Sequence, residues 1–395
     1  MTERLVATAA EAGPGQSPPA DRIPVMVPYL GEEEARAAAD AVRSGWVAQG
    51  PRVAEFERAF AARIGVAHGV ALGSCTSALH LALVACGIGP GDAVVVPSFS
   101  FIATANAVRY VGAEPVFADV DPATGNLTPE TIAEVLTPRT RAVLLVHQGG
   151  VPADARAVAE SVRSRGVVVI EDAACAAGST AYGAPVGAEA LIAAWSFHPR
   201  KVLTTGEGGM LTLDRSHWAA RLRRLREHGM DVSAADRHAS AGPVFEHYLE
   251  TGYNYRMTDI QAAIGLVQLG RLDAMVRRRR ELAAHYHELL GGAPGVHPVR
   301  DPAYGRGNYQ SFWVLLDAEF PGGRDTALAR LSAAGVSARR GIMAAHLEPA
   351  YRDVGHVPLP VTERLTRDSL ILPLFHTMNA GQQRRVVDAL LEPVR

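Results

Sequence analysis

From about residue 25 onward, short apolar runs alternate with longer amphipathic stretches. Residues 31–45 and 53–65 repeat their apolar positions at helical period. The first of these opens on three glutamates, which suit the positive end of a helix. Helices are also predicted over 78–87 and 101–112, with a strand over 92–97 between them. The runs 114–120, 141–147 and 166–172 are β-branched and apolar on both sides of the pleat, the pattern of central parallel strands. Their spacing leaves room for crossover helices, so the pattern predicts a layered α/β domain with a largely parallel sheet.

Residues 257–292 predict one or two long helices leading out of that sheet. A stretch containing Gly and Pro follows, from Gly291 to Gly307. The chain then restarts as a strand over 311–317, with helical pieces near 325–335 and 379–391. The expected organisation is a loose tail over 1–22, a large domain over 23–285 and a smaller C-terminal α+β domain over 286–395.

Composition narrows the function classes. Of 395 residues, 48% are hydrophobic and 20% charged, a balance ordinary for a soluble globular protein. A formal net charge of −2 gives no broad basic surface for nucleic acid. Cys75, Cys86 and Cys175 are too scattered for a disulfide framework, and no ligand spacing suggests a metal. No apolar run is long enough to span a membrane. The expectation is a reduced, cytoplasmic protein.

Four segments carry candidate chemistry. In 73–83 (GSCTSALHLAL) a glycine and small hydroxyl residues open into an apolar helix, whose free amides could seat a phosphate or merely carry an ordinary cap. In 167–176 (VVVIEDAACA) a strand ends on Glu171 and Asp172, where ligands of parallel sheets gather. There Asp172 could pair with a protonated pyridine nitrogen or cap the next turn. In 194–213, Lys201 lies in a turn-rich stretch ahead of Gly206, Gly208 and Gly209, where an amine in apolar surroundings can lose its charge and form a Schiff base. Ser196 and the glycines could supply phosphate contacts. In 251–273, Asn254 and Arg256 precede a helix with Thr258 as its candidate cap.

In this order the segments resemble the DegT/DnrJ/EryC1/StrS family of aminotransferases dependent on pyridoxal 5'-phosphate (PLP). The resemblance is carried by PYLGEEE (28–34), SGWVAQGP (44–51), PSFSFIATANAV (97–108), ADVDPATGNL (118–127), VPADAR (151–156), EDAA (171–174), SFHPRK (196–201), TTGEGG (204–209) and GYNYRMTDIQAAIGL (252–266). It implies a fold-type-I PLP transferase: a large, mixed, mostly parallel sheet domain plus a small C-terminal domain, assembled as a homodimer with shared active sites. Carried over by motif, Lys201 is the Schiff-base lysine and proton shuttle, and Asp172 pairs with the pyridine nitrogen. Thr76, Ser77 and Ser196 contact the phosphate, Asn254 reaches it from the neighbouring subunit, and Ser74, Cys75 and Cys175 also belong to the cofactor-binding set. Phe101 stacks on the cofactor ring, while Arg256 and His346 approach the substrate.

The implied reaction moves an amino group from L-glutamate, or a similar donor, to a keto-sugar, with a nucleotide-linked 4-keto-hexose favoured by TTGEGG. A keto-cyclitol aminotransferase or an amino-cyclohexenone-forming enzyme is the alternative, and a regulatory protein on the same fold is the non-enzyme alternative. Two departures stand out. Cys175 replaces the Gln or His that the family often places near the cofactor's phenolic oxygen, and VHQGGVPAD (146–154) lacks the tyrosine of the commoner version. The basic runs 221–229 and 276–290 read as solvated helix faces, although an arginine of the second could meet a substrate diphosphate.

Overall fold

A computed structural model describes residues 22–233 and 240–392, so the expected tail over 1–22 lies outside the described residues except for Arg22. Helices α1 (Glu32–Arg43) and α2 (Pro51–Ile64) lead into strand β1 (His68–Leu72). The alternation that follows is α3 (Cys75–Ala85), β2 (Ala93–Pro97), α4 (Ala103–Tyr110), β3 (Glu114–Ala118), α5 (Pro129–Ala133), β4 (Thr140–Val146), α6 (Ala155–Arg163) and β5 (Val168–Asp172). A small hairpin, β6 (Thr180–Ala181) and β7 (Ala184–Pro185), precedes β8 (Ala193–Ser196), β9 (Gly209–Leu213) and α7 (Ser216–Leu225).

Seven strands form the main sheet in the order β1-β9-β8-β5-β4-β2-β3. The pairs among β3, β2, β4, β5 and β8 are parallel, whereas β9 runs antiparallel to both β8 and β1. Strand residues alternate between two apolar layers, as the pleat requires. Val94, Val96, Leu144, Ile170, Ala194 and Leu211 pack with α3, α4 and α7 on one side. On the other side Val95, Val143 and Leu145 meet α6, while Ala71, Ala193, Trp195 and Met210 meet α2 and the long helix α8 (Asp259–Leu289). Burial on both faces explains why these strands read as continuous apolar runs.

Helix α8 is one element of 31 residues capped by Thr258, whose side chain accepts from the Gln261 amide while Gln261 reaches back. Its last turns enter a second core with an antiparallel sheet, β10 (Val296–Pro298), β12 (Phe312–Leu316), β14 (Ser369–Leu372) and β13 (Arg339–Arg340) in that spatial order. Ile23 is buried in this second core, bridged to Val336, so the start of the described chain is sewn to the C-terminal layer. Strand β11 (Gly305–Arg306) crosses back to pair with β6. No helix among the described residues is long and apolar enough to cross a membrane.

Both basic runs depart from the solvated-face reading. Arg226 is buried and donates to Glu57 and to the Ala71 carbonyl. Arg279 is buried as well, donating to the carbonyls of Tyr309 at 2.8 Å and Gln310 at 2.9 Å. Their neighbours Arg223 and Arg280 stay half-buried, Arg223 sharing Glu57 with Arg226 and Arg280 pairing with Asp301.

Candidate active site

The carboxyl ends of the parallel strands converge on one edge, and the candidate residues sit there. Asp172 is the last residue of β5, Ser196 the last of β8, and the turn after β1 runs straight into α3. Sheet register puts Leu72, Gly209 and Ser196 abreast, so the start of α3, the head of β9 and the end of β8 face one another.

Ser74 caps α3: its hydroxyl accepts from the Ser77 amide at 3.1 Å and lies 3.0 Å from the Ser77 hydroxyl. The next amides, of Cys75 and Thr76, have no partner within the helix, the ordinary condition of a helix start. Gly209 lies so close that a Cβ there would sit 2.4 Å from the Ser74 carbonyl carbon and 2.6 Å from the Cys75 nitrogen. The seat is therefore a bare helix N-terminus ringed by the hydroxyls of Ser74, Thr76, Ser77 and Ser196, all partly exposed.

Asp172 is buried, with 4% of its surface exposed. Its Oδ2 accepts from the Thr104 hydroxyl at 2.9 Å and its Oδ1 from the Ala174 amide at 3.2 Å. Because Thr104 spends its one hydrogen on this carboxylate, the 3.0 Å contact between Thr104 and Ser100 has Ser100 as donor. Burial raises the Asp172 carboxyl above its ordinary value. The Thr104 and Ala174 hydrogen bonds, the Lys201 amine and His147 pull it back only in part. A buried carboxylate held at a strand end and short of positive charge fits a pyridinium partner.

Lys201 Nζ donates to Cys175 Sγ at 3.1 Å. Burial works to lower the amine's pKa, but the Cys175 and Cys75 sulfurs and the Asp172 carboxylate outweigh it, and the net shift is upward. The neighbours of this amine thus favour its charged form against the pull of burial. Burial, then Asp172, push the Cys75 thiol well above the usual range. Lys201, Cys175, Cys75 and Asp172 therefore form one electrostatic cluster beside the phosphate seat.

Several supporting residues carried no sequence signal. Gln310 Oε1 accepts from the Val202 amide at 2.8 Å and its Nε2 donates to the Arg200 carbonyl at 2.5 Å, so one amide side chain brackets Lys201. Asn308 donates to the Cys175 and Ala177 carbonyls at 2.8 and 2.9 Å. His147 accepts from the Ala153 amide at Nδ1, which puts its proton on Nε2, 3.1 Å from the buried Glu171. Only the spacing of Ser100 and Thr104, one helical turn apart, offered a clue.

The remaining candidates lie further out. Phe101 is 65% exposed, in the loop between β2 and α4. Asn254 is exposed and accepts from Arg256 Nε at 3.1 Å, while the intervening Tyr255 carbonyl accepts from the Gly73 amide at 2.8 Å. His346 is not brought into the cleft. It is 4% exposed, its Nδ1 lies 2.6 Å from the Ser98 hydroxyl, and its backbone amide donates to that same hydroxyl. This pins the 344–347 segment under the loop after β2.

The sequence profile of the DegT/DnrJ/EryC1/StrS aminotransferase family matches residues 28–391. Among solved structures, the aminotransferase TlmJ from Streptoalloteichus hindustanus is 39% identical, with a TM-score of 0.86 over 93% of this chain and 98% of that one. DesI, solved in the presence of its TDP-sugar product, is 34% identical, with a TM-score of 0.85 over 95% of this chain and 94% of that one. Spr1654 from Streptococcus pneumoniae, solved in a PLP form, is 25% identical, with a TM-score of 0.87 over 94% of this chain and 98% of that one. With the strand-end carboxylate, the half-buried lysine and the bare helix start in place, the chain belongs to the DegT/DnrJ/EryC1/StrS aminotransferase family and is a PLP-dependent aminotransferase of fold type I.

Proposed function

We propose that this aminotransferase transfers an amino group from L-glutamate to a nucleotide-linked keto-hexose, aminated at its 4-position, and works as a homodimer. The observation that carries the reading is the Lys201 amine, 3.1 Å from Cys175 and within the electrostatic reach of Asp172, beside the α3 helix start. The relatives add the substrate class, since DesI is described with a TDP-sugar product.

When held here, PLP supplies the electron sink and carries the amino group between the two halves of the exchange. The chain's own residues do the rest. The amides of α3 and the hydroxyls of Ser74, Thr76, Ser77 and Ser196 would hold the phosphate. Asp172, kept in place by Thr104 and Ala174, would hold the ring nitrogen protonated. Phe101 would cover one face of the ring, and the exposed Asn254 is available to a partner subunit. Lys201, on a turn bracketed by Gln310, would take and return a proton at its Nζ. Cys175, its neighbour, is a weaker hydrogen-bond partner than an amide.

The test is spectral. Enzyme purified with PLP should show a visible band that L-glutamate shifts to shorter wavelength, and adding a nucleotide-linked 4-keto-hexose should restore it. Lys201→Ala should not cycle. A glutamate-shifted enzyme that ignores keto-sugars but is restored by a keto-cyclitol would overturn the acceptor assignment. A band indifferent to every amino donor would overturn the reaction.

A further inference from the structure

A second cleft, of about 290 Å³, opens between the main sheet and the C-terminal layer on the turn that precedes Lys201. It shares no lining residue with the phosphate seat or with Lys201 itself. Arg200, Arg279 and Arg339 line it, together with His198, and no Asp or Glu does. Met26, Phe312 and Leu374 contribute an apolar wall.

Its charge is uncompensated. Arg279, on α8, is buried, and Nε and Nη2 are spent on the carbonyls of Tyr309 and Gln310, leaving Nη1 without a protein partner among the described residues. Burial depresses this guanidinium to about 9, the mark of a cation lacking a counter-charge. Arg339, on β13, lines the same cleft as Arg200; both are largely exposed, and partial desolvation and the positive charge of Arg200 lower the Arg339 pKa. Neither guanidinium pairs with a carboxylate among the described residues. Elsewhere the protein pairs such side chains readily, as with Arg226 and Glu57 or Arg271 and Glu34.

Three unpaired guanidiniums converging from three elements match a ligand with two or more negative charges. A single carboxylate would leave two of them unanswered. The apolar wall opposite suits a ligand whose charged group continues into an apolar or aromatic part. We infer that this cleft binds a diphosphate-bearing ligand. The carrier of the diphosphate, a nucleotide-linked sugar, is the only part that rests on the function proposed above. Occupancy would also be felt at Lys201, because Gln310 ties the Arg200 carbonyl to the Val202 amide across it.

The experiment titrates the PLP-loaded enzyme calorimetrically with inorganic pyrophosphate, a nucleoside diphosphate and 2-oxoglutarate. The wild type is compared with Arg200→Ala and Arg339→Ala, whose exposed side chains have no fold to support. Saturable binding of both diphosphates is expected, about tenfold or more weaker in each variant and weaker in high salt. A nucleoside diphosphate that binds tighter than pyrophosphate and competes with the keto-sugar acceptor would assign the diphosphate to the substrate. Equal binding without competition would assign it to a free diphosphate. No saturable diphosphate binding, or binding indifferent to both substitutions, overturns the inference. Displacement by 2-oxoglutarate that responds to the same substitutions also overturns it, in favour of a dicarboxylate. Failure of the keto-sugar reading is separate: acceptor turnover would be missing while pyrophosphate binding and its arginine dependence persisted.

Discussion

Thr104→Val tests the support of the central carboxylate. Valine keeps the shape of threonine and removes the hydroxyl that donates to Asp172 Oδ2 at 2.9 Å, leaving only the longer Ala174 amide contact at 3.2 Å. A hydrogen bond to a buried charge contributes about 1.5–3 kcal/mol. That loss raises the Asp172 pKa further, because one of the hydrogen bonds that favour the charged form is gone. Its folded pKa already lies above the model-compound 3.8 because burial disfavours the charged form. Ionising Asp172 therefore costs folding stability as pH rises through the window from 3.8 up to the folded value, and costs nothing below it. Thr104→Val widens that window, so its penalty is expected in full near neutral pH and is expected to shrink in acid.

The assay is urea unfolding of cofactor-free enzyme at neutral and mildly acidic pH for wild type, Thr104→Val, Asp172→Asn and the double variant. In the Asn background the hydroxyl faces a neutral amide, and such a bond contributes only about 0.5–1.5 kcal/mol. A coupling energy of about 1–1.5 kcal/mol at neutral pH follows. Thr104→Ser should restore most of the loss. Equal costs of Thr104→Val in both backgrounds and at both pH values would refute the claim that the hydroxyl serves the charge rather than the packing of α4.

Gly209→Ala places a methyl 2.4 Å from the Ser74 carbonyl carbon, so the head of β9 and the α3 start must part. PLP affinity should fall by tenfold or more, measured by fluorescence titration, with the protein still folded by circular dichroism. Burial raises Cys75 well above the usual thiol range and Cys86 to about 12. Both should therefore resist iodoacetamide in the native cofactor-free enzyme near pH 8 and react once it is denatured, as read by mass spectrometry of each peptide.

The main sheet was legible because its central strands are buried on two faces, and such runs stand out without alternation. Strand β1, with His68 and Gly69 at its start, and β9, opening on Gly209, were not legible, because glycine and polar residues mask their apolar part. The arginines show a different limit. The sequence runs around Arg226 and Arg279 look alike charged throughout, and only three-dimensional packing decides that one arginine of each run turns inward. His346 shows the converse, for a motif position says nothing about whether a ring faces a cleft or a buried serine.

Gln310 is the sharpest case of a residue that sequence could not reveal, since it lies 109 positions from the lysine it steadies, on a segment whose only local signal is the strand that follows it. Its role is set by which two backbone groups happen to open toward it, the Val202 amide and the Arg200 carbonyl. Gln310→Met fills the same space and satisfies neither; the Arg200 carbonyl is exposed and can turn to water, whereas the part-buried Val202 amide is left unmet, at a cost of about 1–3 kcal/mol. The Lys201 turn should respond by loosening rather than by unfolding, because it is also held by Thr204, whose hydroxyl donates to the Phe197 carbonyl at 2.9 Å, and by the Lys201 amide, which donates to the His198 carbonyl at 2.8 Å. The expected signature is a fall in kcat for the glutamate half-reaction of tenfold or more with little change in PLP affinity, because the phosphate seat lies on α3 and is untouched. Gln310→Glu should recover the Val202 contact but not the Arg200 one, and so fall between. If Gln310→Met lowered PLP affinity and left the half-reaction rate intact, the residue would be supporting the seat and not the lysine, and the division of labour drawn here between helix start and lysine turn would have to be abandoned.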